Sequence, residues 1–138
     1  LLDYAALSEA ALGEHWSARS EEERAHFVSL LRQLVERNYE DNLERILDYE
    51  VSYDDELRRG DRTTVTTSAR SRLQRRQPPV EIEYTLDQRG GPWRVIDVRT
   101  DGVSMVDNYR SQFDRIIERD GWAALIARME RRLEEGAG

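Results

Sequence analysis

Hydrophobic residues recur at three- and four-residue spacing along the first third of the chain, which is typical of amphipathic helices. The first helix is predicted at residues 3–12 and should end at Gly13, because glycine easily adopts the left-handed conformation that closes a helix. Trp16 lies in the connection that follows. Ser20 and Glu23 then have the spacing of a capping box, so a second and longer helix is predicted at 21–48.

From Glu50 the hydrophobic period changes to two, which is typical of β-strands. The first strand should carry Val51, Tyr53 and Leu57 on one face. The four predicted strands cover residues 51–57, 62–73, 80–86 and 93–98. Short turns separate neighbouring strands, and parallel pairing would require long crossover connections. The pattern therefore predicts an antiparallel meander.

Helical spacing returns after the strands. A third helix is predicted to start at Ser104, and Asp120-Gly121 should separate it from a last helix beginning at Trp122. Residues 134–138 are predicted to be a frayed tail. The order of helix, helix, four strands, helix, helix predicts one α+β domain over residues 1–138, with the meander sheet packed against several helices.

Composition narrows the class of protein. The chain has 138 residues and a formal net charge of −7, and it contains 21 arginines and no lysine. The acidic balance disfavours nonspecific nucleic-acid binding, which depends on clustered cations. No apolar run approaches the roughly 20 residues of a membrane-spanning helix, and no signal peptide is visible at the first residues.

Catalytic chemistry has few candidates in this sequence. Covalent catalysis needs an activated nucleophile beside a base, and the chain has no cysteine, no lysine and only two histidines, His15 and His26. Both histidines are predicted to lie at the surface. Glu23 and His26 form a single Glu-x-x-His pair, whereas carboxylate-bridged metal bundles need two such pairs. We therefore expect no catalytic residue, no metal and no cofactor.

An ordered composite of motifs resembles the signature of the MlaC/toluene-tolerance family. It comprises Trp-x-Val-x-Asp-Val at 93–98, Gly-Val-Ser at 102–104 and Asn-Tyr-Arg-x-Gln-Phe at 108–113. Trp16, Arg24 and Phe27 occur upstream at the spacing that the family shows. The resemblance covers essentially the whole chain.

The resemblance implies a periplasmic phospholipid-binding component of the Mla lipid transport system. Such a protein would carry lipid between outer- and inner-membrane complexes and catalyse no reaction. A curved sheet and packed helices would enclose an apolar cavity for acyl chains, because each methylene removed from water contributes about 0.8 kcal/mol. Compared with the family, this chain is expected to lack an N-terminal helical segment.

The residues expected to line that cavity lie on the predicted strand and helix faces. They are Leu31, Leu34, Val51, Tyr53, Val65, Ala69, Ile82, Tyr84, Trp93, Val95, Tyr109 and Phe113. The small side chains of Thr67, Ala69 and Ser71 would leave room for the ligand. Periodicity alone favours an ordinary core for these residues, and only the resemblance favours a cavity.

Two other functions remain open at this point. Four arginines at one end of a strand favour a solvated hairpin tip, but they could also bind a lipid phosphate or an acidic partner protein; they are Arg70, Arg72, Arg75 and Arg76. The chain would then be a protein-interaction module with a filled core. Alternatively, a buried carboxylate such as Asp97 could act as the base of a small-molecule enzyme.

Overall fold

The computed structural model describes residues 2–41, 47–88 and 91–136. These residues form two compact units. One contains the sheet, with residues 2–3, 47–88 and 91–106, and the other contains the helices, with residues 4–41 and 107–136. The expectation of a single lipid-binding domain stays a prediction.

The sheet unit is an open antiparallel meander, which confirms the predicted fold class. Its strands are β1 (Tyr49–Arg59), β2 (Arg62–Ser71), β3 (Val80–Asp87), β4 (Arg94–Thr100) and β5 (Val103–Ser104), ordered in space as in the chain. The four predicted strands are present. The fifth was not predicted, because two residues are too few to show a period.

A β-bulge divides β1 into two halves. Tyr53 pairs with Thr67, but the next pair along the ladder is Asp55 with Thr66, so Asp54 is the extra residue. An unpaired residue in a ladder with period two moves the following side chains to the other face. The prediction that Leu57 shares a face with Val51 and Tyr53 is therefore wrong.

The helical unit contains α1 (Tyr4–Leu12), α2 (Glu14–Ser17), α3 (Glu21–Asp41), α4 (Met105–Asp120, whose first two residues belong to the sheet unit) and α5 (Trp122–Gly136). Helix α3 packs against α1 and α5. The largest fully buried side chains in the described residues of this unit are Phe27, Leu7, Leu12, Leu31 and Leu125.

The helix ends follow local chemistry. Ser20 and Glu23 form the predicted capping box, with the Ser20 N–H donating to Glu23 Oε1 at 2.9 Å and the Glu23 N–H donating to Ser20 Oγ at 3.1 Å. Gly13 has φ of 56° and Gly121 has φ of 92°, values that a residue with a Cβ rarely adopts. These two glycines separate α1 from α2 and α4 from α5.

Three boundaries differ from the predictions. Trp16 lies in the short helix α2 rather than in an open connection, and β2 ends at Ser71, which leaves Leu73 outside the strand and 78% exposed. Helix α5 continues to Gly136, so the predicted frayed tail is helical over residues 134–136. The predicted extension of the long helix over 42–46 lies outside the described residues, as do Arg89 and Gly90 of the predicted hairpin loop.

Candidate functional site

The structure places the predicted sheet residues on one face of the meander. Across the ladders, Val51 pairs with Ala69 and Ala69 with Val80, while Val65 pairs with Tyr84. Directly paired residues in neighbouring strands point to the same face. The apolar face thus includes Val51, Tyr53, Val65, Ala69, Ile82, Tyr84 and Val95.

Burial varies across the apolar face. Ala69 and Val95 are 6% and 9% exposed, whereas Val51 and Tyr53 on the edge strand β1 are 60% and 64% exposed. Thr67 also lies on this face, and its hydroxyl donates to the Ile82 carbonyl at 2.9 Å. Because that hydroxyl is already bonded within the sheet, Thr67 does not add an unsatisfied polar group to the apolar face.

The opposite face of the sheet is polar. Leu57 reaches it through the bulge and lines a shallow depression with charged and hydroxyl-bearing residues, among them Arg59, Arg62, Thr64 and Asp87. The cross-strand ion pair of Arg62 with Asp87 spans 3.6 Å. The bulge also brings Glu56 and Arg58 to the side of Val65, close to the β1–β2 turn. Away from that end, the sheet has one side suited to hydrocarbon and one side suited to water.

Trp93 precedes β4, and the guanidinium carbon of Arg58 lies 5.4 Å from its ring centroid. This is a cation–π contact, in which the positive charge of the guanidinium is attracted to the face of the half-buried ring. Arg58 also donates to the Gln88 side-chain oxygen at 3.3 Å. Trp93 is thus held at the end of the sheet where the β1–β2 hairpin turns.

The predicted helix residues belong to the helical unit. Tyr109 stacks on Phe113 with centroids 5.4 Å apart, and Phe27 contacts Phe113 edge-on at the same separation. Leu31 is 1% exposed and Phe113 6% exposed, while Leu34 is half-buried. Burial raises the pKa of the Tyr109 phenol above its ordinary value of 10.0, so the hydroxyl stays neutral at physiological pH.

The four arginines proposed for partner binding are all exposed and follow one another from the end of β2 into the next connection. Arg70 donates to the Arg75 carbonyl at 3.4 Å. The cluster is accessible, and its role in binding stays a prediction.

Several residues of the family-like motifs have structural contacts that explain them. Asp97 accepts hydrogen bonds from the Ser104 hydroxyl at 2.5 Å and from the N–H groups of Val98 and Val106 at 2.8 and 3.1 Å. Val106 lies in the first turn of α4, whose free N–H groups need acceptors. Asp97 thereby ties β4 to the start of α4, which is a structural role.

Arg110 has a comparable role in the helical unit. Its Nε donates at 2.9 Å to the carbonyl of Ala10, in the last turn of α1 where carbonyls lack helical partners. A Cβ on Gly13 would lie 3.9 Å from the same Nε atom. Arg24 similarly donates to the Trp16 carbonyl at 3.0 Å and covers the Trp16 ring at 5.0 Å.

Within the described residues, no helix is long and apolar enough to cross a membrane.

The sequence reasoning did not foresee the contacts of Asp97 and Arg110. Arg110 and its partner Ala10 are 100 positions apart in the chain. The motif composite singled out both residues, and it carries no information on their partners.

Comparisons with known proteins agree with the fold. The family model described as MlaC protein matches residues 1–131. The intermembrane phospholipid transport system binding protein MlaC of Haemophilus influenzae is 24% identical over 135 residues, covering 94% of this chain. The chain spans 63% of the length of that relative.

A solved structure, the phospholipid-binding protein from Ralstonia solanacearum in complex with a phospholipid, matches with a TM-score of 0.84 at 21% identity. The match covers 99% of this chain and 76% of that one. At this identity the likeness supports the fold alone.

MlaC homologues are periplasmic components of the Mla system, in agreement with the location expected from the motifs. The match of the family model over residues 1–131 extends from the first helix into α5. It includes the motif composite at 93–113. Two residues of that composite, Asp97 and Arg110, have structural roles through the hydrogen bonds described above. The chain therefore belongs to the MlaC protein family.

Proposed function

We propose that this protein binds phospholipid through its acyl chains and carries it between outer- and inner-membrane complexes. Family membership supports the binding, and the relatives named above are described as lipid-binding or transport proteins rather than enzymes. The observation that carries the proposal in this chain is the apolar face of the sheet, where Val51 and Tyr53 remain more than half exposed.

Exposure of large apolar side chains to water is unfavourable, and a ligand that covers them lowers the free energy. Removing apolar surface from water contributes about 25 cal/mol of favourable free energy per Å². The Val51 and Tyr53 side chains are 60% and 64% exposed, so they leave apolar surface for a ligand to cover. They adjoin Ala69 and Thr67 across the ladder. A hydrocarbon chain on this row would cover the exposed apolar side chains.

We further propose that the helix residues predicted for the site, Leu31, Leu34, Tyr109 and Phe113, contribute apolar surface to lipid binding. Tyr109 has the best chemistry for this role, because its ring is stacked on Phe113 while its phenol keeps its proton. An aromatic ring with a neutral hydroxyl can contact a methylene chain with one part and a polar group with the other.

The first experiment is native mass spectrometry of detergent-free protein as purified, followed by denaturation and identification of released lipid. We expect a mass increment equal to a phospholipid and recovery of that lipid after extraction. Folded protein at the bare chain mass, which also fails to take up phospholipid from vesicles, would contradict the proposal.

The carrier step needs a separate experiment. Donor vesicles containing a fluorescent phosphatidylglycerol and a quencher are mixed with unlabelled acceptor vesicles, and dequenching is followed with and without the protein. We expect dequenching to accelerate in proportion to protein concentration. Binding without accelerated transfer would leave a lipid-binding protein and remove the carrier role.

A further inference from the structure

The helical unit contains three potential metal-ligand atoms on two neighbouring helices. His15 lies in α2, and Asp114 and Glu118 lie one turn apart in α4. The Nε2 atom of His15 is 2.8 Å from Asp114 Oδ1 and 3.9 Å from Glu118 Oε1, and all three donor atoms lie within 4.8 Å of one another. We propose that these side chains form a surface site for a divalent transition-metal ion, with Zn²⁺ as the best match.

The donor set supports this assignment. Imidazole nitrogen with carboxylate oxygen suits Zn²⁺ and its neighbours in the transition series, whereas magnesium and calcium prefer oxygen ligands alone. Three protein ligands plus water complete a tetrahedral zinc site. The two carboxylates supply the negative charge that a divalent cation requires.

The distances are close to those that zinc needs. Ligands about 2.0–2.1 Å from a tetrahedral ion are roughly 3.3 Å from one another. The His15–Asp114 distance of 2.8 Å is about half an ångström shorter, and the His15–Glu118 distance of 3.9 Å about half an ångström longer. The Asp114 and Glu118 side chains are 59% and 70% exposed, so small rotations can bring all three atoms to the ion.

The backbone around the histidine is well fixed. His15 is only 21% exposed. Its neighbour Trp16 is covered by Arg24, which also binds the Trp16 carbonyl. On the other side, Asp114 and Glu118 are inside a helix of 16 residues. A site built on such fixed elements loses little entropy when a metal binds.

The electrostatics also favour a cation. Asp114 and Glu118 are like charges at i and i+4 on one helix face, an arrangement that destabilises a helix. The imidazole of His15 contacts both carboxylates, at 2.8 and 3.9 Å. A bound cation would neutralise both carboxylates and join α2 to α4.

The sequence offered no sign of this site, because the histidine and the carboxylates are about a hundred positions apart. The single Glu-x-x-His pair of Glu23 and His26 gives a different arrangement. His26 pairs with Glu130 of α5 at 3.5 Å, and both side chains are more than half exposed. This second His–Glu pair is a natural control.

The test is isothermal titration of ZnCl₂ into tag-free protein, together with the visible absorption of the Co²⁺-loaded form. We expect about one Zn²⁺ per chain and cobalt bands typical of low coordination number. Loss of an outer partner of a metal ligand already costs 10- to 100-fold in affinity. His15→Asn should therefore weaken Zn²⁺ binding at least about tenfold, and Asp114→Asn and Glu118→Gln should each weaken it too.

His26→Asn is the matched control and should leave Zn²⁺ affinity and the cobalt spectrum unchanged. His15 is partly buried and the other three side chains are more than half exposed. Far-UV circular dichroism would verify that each variant is folded. The proposal is overturned if the protein binds no Zn²⁺, or if His15→Asn binds as tightly as the parent. It is equally overturned if His26→Asn weakens binding as much as His15→Asn, since that result indicates nonspecific adsorption.

Discussion

Asp97 and Ser104 are joined by a hydrogen bond of 2.5 Å, in which the Ser104 hydroxyl donates to a carboxylate oxygen. Ser104 is 4% exposed, so neither water nor an exposed side chain can easily replace this acceptor. The other carboxylate oxygen accepts from the N–H groups of Val98 and Val106. One side chain therefore satisfies three donors that lie between β4 and the start of α4.

Removing this carboxylate should destabilise the protein. Asp97→Ala leaves the buried Ser104 hydroxyl and the Val106 N–H without this acceptor, and we expect a loss of about 2–3 kcal/mol in the free energy of unfolding. Urea unfolding followed by circular dichroism measures it. Ser104→Ala should cost less, and the double variant should show coupling of at least about 1 kcal/mol. Additive losses would contradict the contact.

Lipid binding should depend on which face of β1 a substitution alters. Tyr53→Arg places a charge on the apolar face, whereas Leu57→Arg places one on the polar face beyond the bulge. Both side chains are more than half exposed, so both variants should fold. We expect Tyr53→Arg to lower co-purified phospholipid at least about tenfold, since a charge in hydrocarbon is costly. Native mass spectrometry would measure the bound fraction.

Leu57→Arg is the control for that comparison and should retain lipid at the level of the parent protein. Equal loss in both variants would point to general destabilisation. Equal retention would show that the edge of the apolar face does not contact the ligand.

The capping box at α3 should give the protein a stability that disappears in acid. The hydrogen bond from the Ser20 backbone N–H lowers the pKa of Glu23 below its ordinary value of 4.5. A carboxylate with a lowered folded-state pKa stabilises the protein above its unfolded-state pKa, and this stability is lost as pH falls through the folded-state pKa. The parent should therefore be more stable than Glu23→Gln at pH 7.

The difference between the parent and Glu23→Gln should shrink as the pH is lowered from 7 through 4.5 and below. Thermal unfolding of the two proteins across that range measures it. Ser20→Ala removes the partner and should cost about 1 kcal/mol at neutral pH. A stability difference between the parent and Glu23→Gln that is constant down to pH 3 would contradict the assignment.

The aromatic cluster of the helical unit should be the most sensitive to truncation. Phe27 is fully buried and contacts Phe113 edge-on at 5.4 Å and Trp122 at 5.7 Å. Phe27→Ala should cost about 3–5 kcal/mol of unfolding free energy. Ala25→Gly at an exposed position of the same helix should cost only about 1 kcal/mol. Comparable losses in the two variants would show that the cluster is not the core.

Sequence periodicity predicted most of the architecture, because helix and strand faces repeat at fixed intervals. The capping box at Ser20 and the glycine breaks at Gly13 and Gly121 were visible for the same reason, since each is a local event. The family signature at 93–113 identified residues that matter but not their contacts. Asp97 and Arg110 bind partners 7 to 100 positions away.

The candidate site was harder to predict than the fold. Strand alternation assigned Val51 and Tyr53 correctly to the face of Val65 and Ala69 but misplaced Leu57, because a bulge leaves no hydrophobic signal in the sequence. The grouping of His15 with Asp114 and Glu118 was also invisible, as it depends on how α2 and α4 lie together. Periodicity describes single elements, and such groupings arise only from tertiary packing.

The extra residue at Asp54 has a consequence for how this protein can change over evolution. Deleting Asp54 would restore an uninterrupted ladder without moving any side chain to the other face, because Glu56 would still lie opposite Val65 and Leu57 opposite Thr64. A one-residue deletion at another position of β1 would instead exchange the faces of the side chains between that position and the bulge. Substitutions along β1 can accumulate one at a time, whereas its length can change without a change of polarity at the bulge.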